Sequence, residues 1–153
     1  MELGRLHGPR RLRRQYLPGL DAVRPAAVSL GATLHRSPAL AISREQCPAL
    51  VVFPESESIT ERANDRVTRE LIVRVVALVR AVPPTVPETE ADRLLTAAHS
   101  ALFADGTFGG LALGIREQEC DWEVEDADAV AAAIPARYAI TYRTLAHDLS
   151  IPG

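Results

Sequence analysis

Residues 66–80 read RVTRELIVRVVALVR, and their alternation decides the fold class. The odd positions hold Val67, Leu71, Val73, Val75, Ala77 and Val79, with Arg69 as the exception. The even positions hold Thr68, Glu70, Ile72, Arg74, Val76, Leu78 and Arg80. Side chains of a strand point alternately to its two faces. The pattern therefore predicts a half-buried strand of an antiparallel sheet, with one apolar face and one mixed face. At ~3.3 Å per residue it spans ~45 Å, which is long for a strand. A face patterned Thr, Glu, Ile, Arg, Val, Leu, Arg is neither core nor plain surface. It has the composition of a partly apolar, Arg-rich interface.

On the N-terminal side, ALVVFP ends in Pro54, and residues 49–53 read as a short buried strand. Residues 54–65, PESESITERAND, are polar and turn-rich and read as a solvated loop. Ser37 to Pro48 is a polar connector. Before it, Leu20, Val23, Ala27, Leu30 and Leu34 recur at steps of three and four, which predicts a helix over 21–34 with Pro25 in its first turn.

On the C-terminal side, VPPTVP at 82–87 is a stiff link to the strongest helical pattern, residues 88–104. Ala91, Leu94, Leu95, Ala98, Ala101 and Leu102 form its apolar stripe. Thr89 and Asp92 have capping-box spacing, and Glu88 and Glu90 place negative charge at the positive end of the dipole. Asp105-Gly106 stops the helix, with Gly106 available for a left-handed cap. Residues 111–125 read as a strand with a defect: Leu111, Leu113 and Ile115 share one parity, Cys120, Trp122 and Val124 the other. A bulge or bend near Arg116–Glu119 reconciles them. Residues 126–136 read as an Ala-rich turn ending at Pro135, and 137–147 as the last strand. The expected fold is α+β: a single domain, mainly an antiparallel four-stranded sheet, with two helices packed on one face.

The chain has 153 residues, of which 47% are apolar and 24% charged, which suits one core and no staples. Two cysteines exclude a disulfide scaffold, and the absence of a run of 18 apolar residues leaves no membrane-spanning helix. The N-terminus has positive charge but no apolar segment behind it, so it does not read as a secretory signal. The expected compartment is a reducing cytoplasm, or a particle assembled in one.

No catalytic constellation appears. His7, His35, His99 and His147 are scattered, and Cys47 and Cys120 lack C-x-x-C spacing and read as buried free thiols. His99 reads as a surface residue. No nucleophile elbow, phosphate loop or dinucleotide fingerprint occurs, and FGGLALG at 108–114 is only a tight entry to a strand. No metal, cofactor or enzymatic activity is expected.

All 17 basic residues are Arg. Residues 1–17 form an Arg-rich arm, set apart from a domain spanning 18–150. Its first 14 residues carry a local charge of +4 through Arg5, Arg10, Arg11, Arg13 and Arg14 against Glu2; with a net charge of −3, the remainder carries −7. The arm suits either a neighbouring subunit or phosphate. Seven acids and no base lie between Glu117 and Asp128. Of these, Glu119, Asp121, Glu123 and Glu125 project to one side of a strand. A stripe of this kind, without the Gly of a calcium loop, reads as solvated or partner-facing.

The stretches PALVVFPESES, RVTRELIVRVVALV, ETEADRLLTAAHSALFADGTFGGLALGIREQECDWEVEDADA and ARYAITYRT, roughly residues 48–147, resemble the tail terminator proteins of tailed bacteriophages, the lambda-like minor tail protein family. The shared features are the strand ending in Pro and acids, the charged strand with alternating valines and the helix closed by ADGTFGGLAL. A strand bearing Trp122 among acids and a final Tyr-x-x-x-Tyr-Arg strand complete the pattern. The resemblance implies a structural virion protein at the head-proximal end of the tail, with a small α+β fold and a hexameric ring. The ring would dock on the last ring of tail-tube protein, stop polymerisation, and meet a head-completion or connector protein, while DNA passes through the lumen without specific binding.

Within that implied ring, Glu119 and Glu123 with Arg69 or Arg74 are candidate inter-subunit salt bridges. Asp121 and Arg143 complete the interface set, and Arg10, Arg11, Arg13 and Arg14 are candidate arm contacts. Another neck, head-closure or tube component of the particle is the alternative. A small nucleic-acid-binding protein is a further one.

Overall fold

The structure, a computed structural model of the chain, describes residues 20–80, 82, 84–122 and 131–153. The arm and Glu123 lie outside the described residues. The strands are β1 (Thr33–Arg36), β2 (Ala49–Ala63), β3 (Arg66–Arg80), β4 (Gly114–Cys120) and β5 (Ala131–Leu145). The α-helices are α1 (Arg24–Ser29) and α2 (Pro87–Ala104). The fold is α+β in one domain, but the sheet has five strands in the order β1-β2-β3-β5-β4, and β1 runs parallel to β2. The expected sheet of four antiparallel strands is corrected in both number and direction.

The missing strand had been absorbed into the first helix. A 3-10 turn at Leu20–Val23 leads into α1, which ends at Ser29. Gly31 adopts φ 73°, the Ala32 N–H donates to the Ala27 carbonyl and the Gly31 N–H to the Val28 carbonyl. These two bonds are a Schellman closure, which a left-handed Gly makes inexpensive. Leu34 therefore falls in β1, where it is buried by the same core that a helical Leu34 would have joined.

The expected loop at 54–65 is the outer part of β2. Only the two residues Asn64 and Asp65 turn the chain into β3, with Asn64 at φ 57°. This half of β2 is mostly polar and largely exposed on both faces, so no apolar period marks it. Pro54 is tolerated inside the strand. Val52 presents its carbonyl toward β1 and accepts from the Ser37 N–H, so Pro54 turns its N–H-lacking side to the edge that β1 has just vacated. Pro135 likewise sits inside β5 and does not end a turn. Its carbonyl accepts from Asp121 just beyond the last β4 pair, so its missing donor also faces a side where the ladder runs out.

β3 occupies the expected residues and is the central strand, paired along its whole length with β2 and β5. Its buried face carries Leu71, Val73, Val75, Ala77 and Val79. These join Ile134, Tyr138, Ile140 and Tyr142 of β5 and Ala91, Leu94, Leu95, Ala98 and Leu102 of α2 in one core with Val23 and Ala27. Both helices thus pack on the same face, as expected. α2 starts at Pro87 with Val86 as N-cap and no side-chain cap bond, so the Thr89–Asp92 capping box does not form. After α2 the left-handed residues are Phe108, Gly109 and Gly110 rather than Gly106. Here the Asp105 carboxylate accepts from the Thr107 N–H and hydroxyl and the Gly109 N–H. Leu111 and Leu113 precede β4, and the strand's register shifts between Glu117 and Glu119, where the bulge was expected.

Candidate assembly surface

The even-numbered face of β3 is covered by neither α-helix. Glu70, Ile72, Arg74, Val76, Leu78 and Arg80 are all half-buried along it. Val76 has Val51 on one side and Pro135 on the other, so the middle of this face is apolar. Beside it lies a charged network centred on Arg137, whose side chain is only 18% exposed. Its Nε–H donates to Glu55 Oε2 at 2.9 Å, and its Nη1 donates to Glu119 Oε1 at 2.9 Å and to Asp121 Oδ2 at 2.8 Å. Glu55 Oε1 takes a second bond from Arg74 Nη2 at 2.9 Å, and the Arg74 guanidinium lies 5.7 Å from the Phe53 ring. Arg116 Nη2 reaches Glu70 Oε2 at 2.8 Å on the same face.

One guanidinium shared by three carboxylates has a clear electrostatic consequence. Burial by itself would raise the Glu55 carboxyl, but bonds and charge from Arg137 and Arg74 outweigh it and hold Glu55 below the usual carboxylate range. Arg137 is pushed further up, first by its bonds to Asp121 and Glu55. This one side chain, carried by β5, ties β2 through Glu55 and β4 through Glu119.

The other face carries a cleft of about 270 Å³ between α2 and β4. Asp92, Thr96, His99, Glu117, Cys120, Trp122 and Tyr138 line it. The His99 ring stacks on Phe103 with centroids 4.5 Å apart, and its Nδ1 shares a 2.9 Å hydrogen bond with the Tyr138 hydroxyl. Glu117 Oε2 lies 3.7 Å from the same nitrogen. Burial, aided by Glu117, pushes the Tyr138 phenol up. Burial also raises the Cys120 thiol, with Glu117, Asp121 and Asp92 adding to it.

The candidate residues divide between the two faces. Arg74, Glu119, Asp121 and Arg143 lie on the uncovered face. Glu119 and Asp121 are met by Arg137 of the same chain, and Arg143 Nε–H donates to Thr68 Oγ1 at 3.2 Å. Arg69 is on the opposite face, near the hairpin end, where its Nε–H donates to Thr144 Oγ1 at 3.2 Å. Glu117, the first of the seven acids and outside the acidic stripe, lines the His99 cleft. The hub residues Arg137 and Glu55 were not singled out from the sequence. Arg137 carried a signal, being on the polar parity of the last strand, but Glu55 stood in a stretch read as loop. His99 is half-buried and partnered, and both cysteines are half-buried and free, not buried as expected.

Among the described residues no His, Cys, Asp and Glu side chains are grouped to hold a metal ion, and no helix is long and apolar enough to cross a membrane. No protein-family model and no curated protein matches the chain.

Proposed function

We propose that the protein is a structural subunit of a phage particle, a tail terminator. It assembles as a homo-oligomeric, hexameric ring, caps the tail tube, stops its polymerisation and offers a surface to the head connector. The observation that carries the reading is the uncovered sheet face. A half-buried apolar centre of Val76, Leu78 and Pro135 with an Arg/Glu network beside it has the layout of an interface, an apolar core with a charged rim. The sequence resemblance supplies the kind of particle.

Glu119 and Asp121 spend part of their charge on Arg137, so the acidic stripe acts in the ring as a local ion-pair network. DNA passes through the lumen of the ring without specific binding.

The test is the mass of the purified protein by light scattering, negative-stain images at high concentration, and incubation with isolated tail tubes. A ring of six that caps tube ends supports the reading. Subunits that grow into long tubes point to a tube protein of the same particle. A monomer that also leaves tail tubes uncapped overturns the terminator.

A further inference from the structure

The α2–β4 cleft lies on the sheet face away from the ring surface. One wall is a single stripe of α2, on which Asp92, Thr96 and His99 follow at steps of four and three. The ends of that stripe are about 10 Å apart at ~1.5 Å rise per residue. The other wall is β4. Its register shift sets Glu117 opposite Tyr138 and Cys120 opposite Ala136, so both side chains share the helix-covered face. Trp122 continues the parity of Cys120 and stands at the cleft wall, 49% exposed.

The lining divides into an apolar floor and an acidic rim. Leu95, Ala136 and the Tyr138 ring are buried and form the floor. Asp92 and Glu117 are exposed at the rim. Among the described residues Asp92 meets no cation, and Glu117 meets only His99, at 3.7 Å. Burial raises the Cys120 thiol first, and Glu117, Asp121 and Asp92 add to it, so negative potential reaches the cleft wall.

This division matches one kind of group. A basic side chain lays its apolar stem on an apolar floor and keeps its charged head at a wet, acidic rim. A Trp face beside the head adds a cation–π contact, which favours the planar guanidinium of Arg. At about 270 Å³ the cleft falls below the ~300–1,000 Å³ typical of small-molecule pockets and suits a single side chain.

The described side chains of the chain itself do not offer that group. Every described Arg except Arg62 and Arg66 is engaged within the chain, by carboxylates, Thr hydroxyls or other partners. Arg62 and Arg66 share the β2–β3 hairpin with Glu61 and Asp65, which offset their charge.

We infer that the α2–β4 cleft seats one Arg side chain of a different protein, its stem on Leu95 and Tyr138, its guanidinium against Trp122 and its charge facing Asp92 and Glu117. The contact is separate from the ring surface and stands without it.

Trp122 is the only Trp of the chain, so its fluorescence reports on the cleft. N-acetyl-argininamide is titrated into the full chain, and N-acetyl-citrullinamide, of similar shape without the charge, is the control. The expected result is a saturable change in Trp122 emission with the arginine probe and none with the citrulline probe. Glu117→Gln and Asp92→Asn should each weaken binding up to about fivefold, the scale of one exposed ion pair, and the double variant further. Both residues are exposed, so the fold is retained, as circular dichroism checks. Emission unmoved by the arginine probe overturns the inference. An equal response to both probes, or an unaltered midpoint in the double variant, overturns it too. Sedimentation velocity of the wild type and the double variant separates the sources of the side chain. Equal masses support a foreign partner, whatever ring forms. A mass that falls in the double variant assigns the cleft to a second copy and overturns the foreign one.

Discussion

Gly31 ends α1 at φ 73°, and a Cβ added there would meet nothing within 4 Å, so only backbone strain opposes a side chain. Gly31→Ala is expected to lose about 1 kcal/mol in urea unfolding, and Gly31→Asn less, since Asn tolerates the left-handed region. Glu55 makes a second residue-scale prediction. Its ordinary value is 4.5 and its folded carboxyl titrates lower. A group with a depressed folded value contributes stability that is whole above its unfolded value and is lost as pH falls through the folded one. The stability held by Glu55 is therefore complete at neutral pH and fades only below about pH 4.5. Asp105 and Asp148 act in the same direction, the first through the Gly109 and Thr107 donors, the second through Ser150. Glu55→Gln should unfold more easily than wild type at neutral pH. The gap should close as the pH is lowered past about 4, as urea midpoints measured across that range will show.

At the scale of elements, the pairing of α2 with the β3–β5 face carries the core. Leu94 is fully buried there among Val23, β3 and β5 side chains. Leu94→Ala is expected to cost ~2–5 kcal/mol by equilibrium denaturation, the range for removing a buried Leu and leaving a cavity. A loss below ~1 kcal/mol would mean that α2 is not packed as described. α2 and β3 were legible in the sequence because their apolar residues follow 3.6- and 2-residue periods without interruption. β1 and the outer half of β2 were not. β1 is four residues long, too short to show a period, and Leu34 fits a helical step as well as a strand. The polar half of β2 is ordered by backbone pairing with β3, which leaves no apolar signature.

At the scale of the whole molecule, the uncovered sheet face and the α2–β4 cleft on the opposite face are what the core does not use. Val76 is half-buried at the centre of that face, with apolar neighbours on both sides. Val76→Glu should cost about 1 kcal/mol or less in the isolated subunit, as a substitution outside the core. It should abolish ring formation, as light scattering at equal concentration will show. If the ring forms unaltered, the uncovered face is not an assembly surface. The two unlike faces of β3 were legible in its alternation, and the even face does carry Glu70, Arg74 and Arg80 among Ile72, Val76 and Leu78. The membership of the Arg137 network was not. Arg137 and Glu55 are 82 residues apart, and only the sheet order brings β2, β5 and the end of β4 to one guanidinium.

Local periodicity and composition by themselves determined the α+β class, the central strand at residues 66–80, its two unlike faces, the long second helix and the bulge in β4. Each of these is a short-range property, written in spacings of two to four residues. The tertiary structure alone decided the fifth strand, its parallel direction, the extended half of β2 and the partners of each charge. These depend on which segments share an edge or a face, and hydrogen bonding between distant backbones sets that without marking the sequence. Long-range pairing also explains why the acids at the end of β4 answer to Arg137 of their own chain before any other.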